Sequence, residues 1–129
     1  MDFDAEAIIR MVFATILGAA VGVEREVDDQ PAGMRTHIAV SLGAALFGIV
    51  STLGFQEYVV ERAASNINVD VTRVASQVVV AIGFLGAGMI FRQGTAVKNL
   101  TTGASLWTTA AIGLACGVGD SGTAAVATG

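Results

Sequence analysis

Glu24, Arg25 and Glu26 follow directly on Gly22-Val23, and Arg35, Thr36 and His37 come a few residues later. Carboxylates, guanidinium groups and an imidazole this close in the chain suit ion pairing, proton transfer or the capture of a cation. Glu24 with Arg35 is the obvious ion pair; the plain alternative is a cluster that anchors two helix ends at a membrane interface. Downstream, Arg73 and Gln77 stand at i,i+4 on one helical face. Thr101, Ser105 and Thr108 form a stripe, with Thr102 and Thr109 beside it. Glu24, Gln77, Thr101 and Ser105 together would make a polar seam fit to pass a cation, unless the hydroxyls are satisfied by their own helix carbonyls. His37 is the only histidine, so a multi-histidine metal site is excluded. No nucleophile stands with a base, so an enzyme is not expected. No cofactor is implied; an unidentified bound cation is the ligand such a seam would suit.

The elements that carry these groups are set by where charge is missing. Residues 36–56, 74–91 and 99–119 contain no Asp, Glu, Lys or Arg, and a shorter clean stretch runs from Met11 to Val23. About 20 apolar residues in a helix cover ~30 Å of hydrocarbon. Buried strands of a soluble sheet run about 4–8 residues, too short to explain these stretches. The expectation is an all-α, polytopic transmembrane bundle with four spans, about 6–23, 34–55, 71–91 and 100–118, forming one domain over 1–129. Hydrophobic residues make up 53% of the chain and charged ones 14%, against about 25% charge in a soluble domain.

The connections follow the same logic. Residues 24–35 form a charged first loop in which Pro31-Ala-Gly33 reads as a turn. Residues 56–70 are polar and long enough for a short surface helix, and Asp70 is placed to cap the third span. Residues 92–98 form a short turn at Gly94, and Asn99 or Thr101 would cap the fourth span. Glu6 and Arg10 are spaced to pair near one interface. Trp107 is too deep in its span for an interfacial belt and is expected to pack. Residues 120–129 would begin a further helix.

The acidic start, with Asp2, Asp4 and Glu6, is unlike a cleavable signal peptide. Loops one and three hold Arg25, Arg35, Arg92 and Lys98, against Arg10, Arg62 and Arg73 on the other side. The bias places those loops in the cytoplasm and the N-terminus outside. A net charge of −4 gives no reason to expect nucleic-acid binding. The single cysteine, Cys116, provides no disulfide framework.

Small residues recur at helical spacing. Gly18 and Gly22, and Gly113 and Gly117, are GxxxG pairs, and Gly83, Gly86 and Gly88 crowd one run. Lipid supplies no hydrophobic drive between helices, so close backbone approach must do the work. These glycines are expected to pack helices within the chain or across a homodimer.

Six segments carry a resemblance: Gly18-Ala-Ala-Val-Gly-Val-Glu-Arg-Glu26, Pro31-Ala-Gly-Met-Arg-Thr-His37, Gly43-Ala-Ala-Leu-Phe47, Asp70-Val-Thr-Arg-Val-Ala-Ser-Gln77, Ile82-Gly-Phe-Leu-Gly-Ala-Gly88 and Leu100-Thr-Thr-Gly-Ala-Ser-Leu-Trp107. In this order they resemble the N-terminal membrane domain of the MgtC/SapB family of bacterial inner-membrane proteins. The resemblance implies a role in growth at low magnesium and in survival inside host phagocytes. It implies either regulation through contacts with another membrane protein, such as the rotary ATP synthase or a cation transporter, or direct cation transport. Glu24, Arg25 and Glu26 fall in the family's Glu-Arg-Glu element, and Arg35, Thr36 and His37 in its Arg-Thr-His element. Better-known members add a fifth span and a cytoplasmic C-terminal domain, which this chain is expected to lack.

Overall fold

In the computed structural model, residues 3–62, 65 and 69–129 are described. Asp2 lies outside them, as do the side chain of Arg62 and part of the 56–70 connection. Four long helices and two short ones follow in order: α1 (Phe3–Val27), α2 (Met34–Thr52), α3 (Gln56–Arg62), α4 (Thr72–Met89), α5 (Leu100–Val118) and α6 (Ser121–Thr128). The short surface helix expected after the second span is α3. The residues after the fourth expected span do form a helix, α6, whose N-cap Asp120 accepts from the Thr123 amide.

Three stretches are long and apolar enough to cross a bilayer: Asp4–Val27, Met34–Glu61 and Thr72–Met89. Their outward faces are oily, with Ile8, Val12, Phe13 and Ile16 on α1 and Val79, Val80 and Phe84 on α4 left exposed. α5 is 19 residues long but carries five hydroxyl residues and three glycines. It is also the most enclosed helix, burying Thr102, Leu106, Thr109, Ile112 and Cys116. An element wrapped by other helices has less need of a lipid-facing surface.

Contacts fix the relative directions. Gly22 lies on Met34 and Gly18 on Ser41, so α1 and α2 are antiparallel. Gly86 lies on Gly103, and Ile82 packs with Ala110, so α4 and α5 are antiparallel. Gly113 meets Ser41 and Gly117 meets Ala45, so α2 and α5 run the same way. A Cβ on Gly113 would fall 2.1 Å from the Ser41 carbonyl oxygen, and one on Gly117 2.3 Å from that of Ala45. The two helices therefore touch backbone to backbone.

The turn expected at 92–98 is a hairpin. β1 (Phe91–Gln93) pairs antiparallel with β2 (Ala96–Lys98). Gly94, at φ 63°, takes the first central position of a two-residue turn. Both strands are too short for an alternating pattern to reveal them.

Two of the expected packing glycines are not packed within the chain. A Cβ on Gly83 or Gly88 meets nothing within 4 Å, because both lie on exposed positions of α4 away from α5. Trp107, expected to pack, is 52% exposed.

Candidate functional site

The charged first loop begins inside α1, which runs past Val23 to Val27 because Glu24-Arg25-Glu26 are good helix formers. The helix stops on a Schellman motif: the Gln30 amide donates to the Arg25 carbonyl and the Asp29 amide to that of Glu26. Asp29 occupies the left-handed position at φ 52°. This closure holds Arg25 and Glu26 beside the starts of α2 and α5.

Three contacts tie the helices together there. Arg25 Nη2 donates to Thr102 Oγ1 at 2.7 Å and to Gln30 at 3.2 Å. The Glu26 carboxylate accepts the Met34 amide at 2.9 Å. It caps α2 from a neighbouring helix, since the N-cap Gly33 has no side chain to do so. His37 is fully buried. Its Nδ1 lies 2.9 Å from the Gly33 carbonyl, which can only accept, so that nitrogen carries a proton. In the neutral ring Nε2 then accepts from Ser105 Oγ at 2.7 Å.

The expected Glu24–Arg35 pair does not form. Both side chains are exposed, and the ion pairs among the described residues are Arg10–Glu6 and Arg73–Asp70. The reason is rotational. Met34, His37 and Ser41 turn toward α1, whereas Arg35 and Ala39 face a groove between α2 and α4. Thr36 lines the same groove.

Nor do Glu24, Gln77, Thr101 and Ser105 converge. Gln77 lies in the α2–α4 groove, Ser105 is engaged with His37, and Glu24 and Thr101 are exposed. Because α4 and α5 are antiparallel, Gln77 lies near the depth of Leu114 and Val78, several turns from Thr101. Thr108 and Thr109 bond the carbonyls four residues back, Ala104 and Ser105.

Arg10 was expected to pair with Glu6, and it does. It also donates to the Gly117 carbonyl at 2.7 Å and to Thr52 at 3.4 Å. A cation thus sits on the C-terminal carbonyls of α5. Ser41 Oγ donates to the Ala14 carbonyl at 2.7 Å. Sequence spacing gave no sign of these contacts, since each joins residues far apart in the chain.

Outside the membrane stretches, Asp70 accepts from the Thr72 hydroxyl and amide, and these bonds hold its carboxyl below the usual range. Thr123 does the same for Asp120.

The comparisons agree with the segments quoted above. "Putative magnesium transporter YhiD" of Escherichia coli (strain K12) is 43% identical over 115 residues, covering 89% of this chain and 52% of that protein. "Protein MgtC" of Brucella abortus (strain 2308) is 45% identical over 115 residues, covering 89% of this chain and 44% of that protein. The chain thus spans about half the length of these curated relatives. No solved structure matches. The apolar helices and these relatives make it a bacterial membrane protein. The sequence profile described as the MgtC family matches residues 11–129, the stretch that contains both charged clusters, and the chain belongs to that family.

Proposed function

We infer that this chain is an MgtC-type membrane domain with a regulatory role in adaptation to low magnesium and in virulence-type stress. It sits in the bacterial inner membrane and works through contacts with other membrane proteins, such as the rotary ATP synthase or a cation transporter. It has four spans, α5 being the fourth, with its N-terminus outside and residues 24–35 and 91–98 in the cytoplasm. The observation that carries this reading is the backbone contact of α2 with α5 at Gly113 and Gly117. Helices that close leave no conduit between them. The motif residues Arg25, Glu26 and His37 are spent on locking helix ends, which builds a fixed face for a partner. The open positions Gly83 and Gly88 on α4 give a homodimer a surface on which two helices can approach closely.

The second reading is a small cation transporter, of Mg²⁺ or another ion. The name borne by the Escherichia coli relative favours it, as does the exposed carboxylate of Glu24. Purified protein in liposomes separates the two. A regulator passes no Mg²⁺ or monovalent cation above protein-free vesicles. A flux abolished by Glu24→Gln overturns the regulatory reading. In cells, Arg25→Ala should lose support of low-magnesium growth while the protein still reaches the membrane.

A further inference from the structure

α2 and α4 are splayed on the side that faces away from α1. Between them runs an open groove of about 840 Å³. Its floor is aliphatic, formed by Val40, Ala44, Val78 and Ile82, and its width comes partly from Gly43, where a Cβ would meet nothing within 4 Å. Along α2 it extends from Arg35 to Phe47, about 18 Å at 1.5 Å per residue. Half the hydrocarbon thickness is about 15 Å. The groove is thus as long as one leaflet is deep.

Its charge is collected at one end, and the polar group toward the other is the neutral amide of Gln77. Arg35 and Thr36 stand at the mouth, in the first turn of α2. Arg35 is exposed and has no hydrogen bond or ion pair among the described residues. Its guanidinium presents a planar donor fork of the kind that holds phosphate through two parallel bonds. The hairpin that follows α4 adds Arg92 and Lys98 at the same end of the bundle. We propose that the α2–α4 groove binds one anionic phospholipid, its phosphate on Arg35 and Thr36 and an acyl chain lying along Val40, Ala44 and Ile82.

A second copy is the poorer occupant. A two-fold axis along the membrane normal would bring the Arg35 side chains of both copies to the same depth, charge against charge. An acyl chain is flexible, carries no charge at groove depth, and leaves the phosphate where the cation is. The proposal rests on α2 and α4 lying in a bilayer. It is independent of whether the protein regulates or transports.

The test extracts the protein from vesicles of equal phosphatidylglycerol and phosphatidylcholine into mild detergent, and native mass spectrometry reads the lipid retained. Wild type should hold phosphatidylglycerol in preference. Arg35→Ala should lower that preference by roughly tenfold, the scale of one charge-assisted bond. Gly43→Phe, whose Cβ meets nothing within 4 Å and whose ring occupies the groove, should lose both lipids while keeping its helical circular dichroism. Gln77→Leu, at the rim toward the chain end, should leave the preference intact. Retention in the ratio of the bulk vesicle overturns the proposal, as does a preference that survives Arg35→Ala. Retention abolished by Gln77→Leu but not by Arg35→Ala puts the lipid's polar contact at the other end of the groove and also overturns it. So does efficient self-cross-linking of Gly43→Cys in a Cys116→Ala background, which would put a second copy in the groove.

Discussion

Two substitutions of identical chemistry should move stability in opposite directions, and the structure gives the size of each. A methyl group added at Gly113 would come 2.1 Å from the Ser41 carbonyl oxygen and 2.7 Å from its carbon, where ordinary contact begins at 3.4 Å. Both are backbone atoms in mid-helix and cannot rotate aside. α2 and α5 must therefore part by about 1 Å, a gap that forfeits a quarter to a half of each dispersion well along the seam. Overpacking of this kind costs about 1–3 kcal/mol, and the immovable neighbour places Gly113→Ala at the upper end. The better helix propensity of alanine returns about 1 kcal/mol. The net loss is about 2 kcal/mol. In a micelle that holds the chain as a monomer, Gly83→Ala meets nothing within 4 Å and keeps only the propensity term, a gain of about 0.5–1 kcal/mol. Reversible unfolding in mixed dodecyl maltoside and sodium dodecyl sulfate micelles, followed by circular dichroism, measures both. If Gly113→Ala equals or exceeds wild type, α2 and α5 do not touch as described and the closed-core reasoning fails. If Gly83→Ala is itself destabilising, another surface already covers that face of α4.

Ser105→Ala removes the donor to His37 Nε2, leaving a fully buried nitrogen unmet; a loss of about 1–3 kcal/mol is expected in the same titration. Arg10→Met should lose about 1.5–3 kcal/mol by stripping the charge-assisted bond from the Gly117 carbonyl. The companion variant Glu6→Gln should cost less, because the bond to Gly117 survives. Asp120 has a folded pKa below its ordinary value, so the cap on α6 is fully present above the unfolded value and is lost as pH falls through the folded one. The protection of the Thr123 amide, its exchange rate taken against the intrinsic rate at each pH, should therefore fall on acidification below the usual carboxylate range, and in Asp120→Asn that protection should lose its pH dependence. An acid-insensitive Thr123 in wild type would mean the carboxylate does not hold the turn.

The membrane helices were legible because lipid imposes a long, one-signal rule: no charge for about 20 residues. The limits of α1 were less so, since Glu24-Arg25-Glu26 leave the oily zone without leaving the helix. The site was half legible. Residue types and spacing grouped Glu24, Arg25, Glu26, Arg35, Thr36 and His37; of these, Arg25, Glu26 and His37 engage neighbouring helices, and the sequence did not name their partners. Partner choice depends on the rotation of one helix against another, which a linear pattern does not encode. Arg35 sits one residue after Met34, about 100° round the helix, and that step takes it from the α1 side to the α4 groove. Glu24–Arg35 looked natural in the chain and is excluded by that angle.

α5 shows why hydropathy and burial part company in this fold. Its five hydroxyl residues and three glycines set it apart from the three stretches apolar enough to cross a bilayer, yet it is the most enclosed helix. Without a hydrophobic force between helices, backbone contact and hydrogen bonds decide which helix lies inside. α5 has both: Gly113 and Gly117 admit the α2 backbone, and Gly103 approaches Gly86 of α4. One end of α5 is gripped by α1 and α2 together, through Arg25–Thr102 and His37–Ser105, and the other by α1 through Arg10–Gly117. Any slide of α5 along its axis must break contacts at both ends together. The first turn of α2, where Arg35 and Thr36 stand exposed, is joined to α5 by the His37–Ser105 bond and, farther along, by the backbone contacts at Gly113 and Gly117; Ser105→Ala should therefore loosen that first turn against α5 without disturbing the Arg25 end.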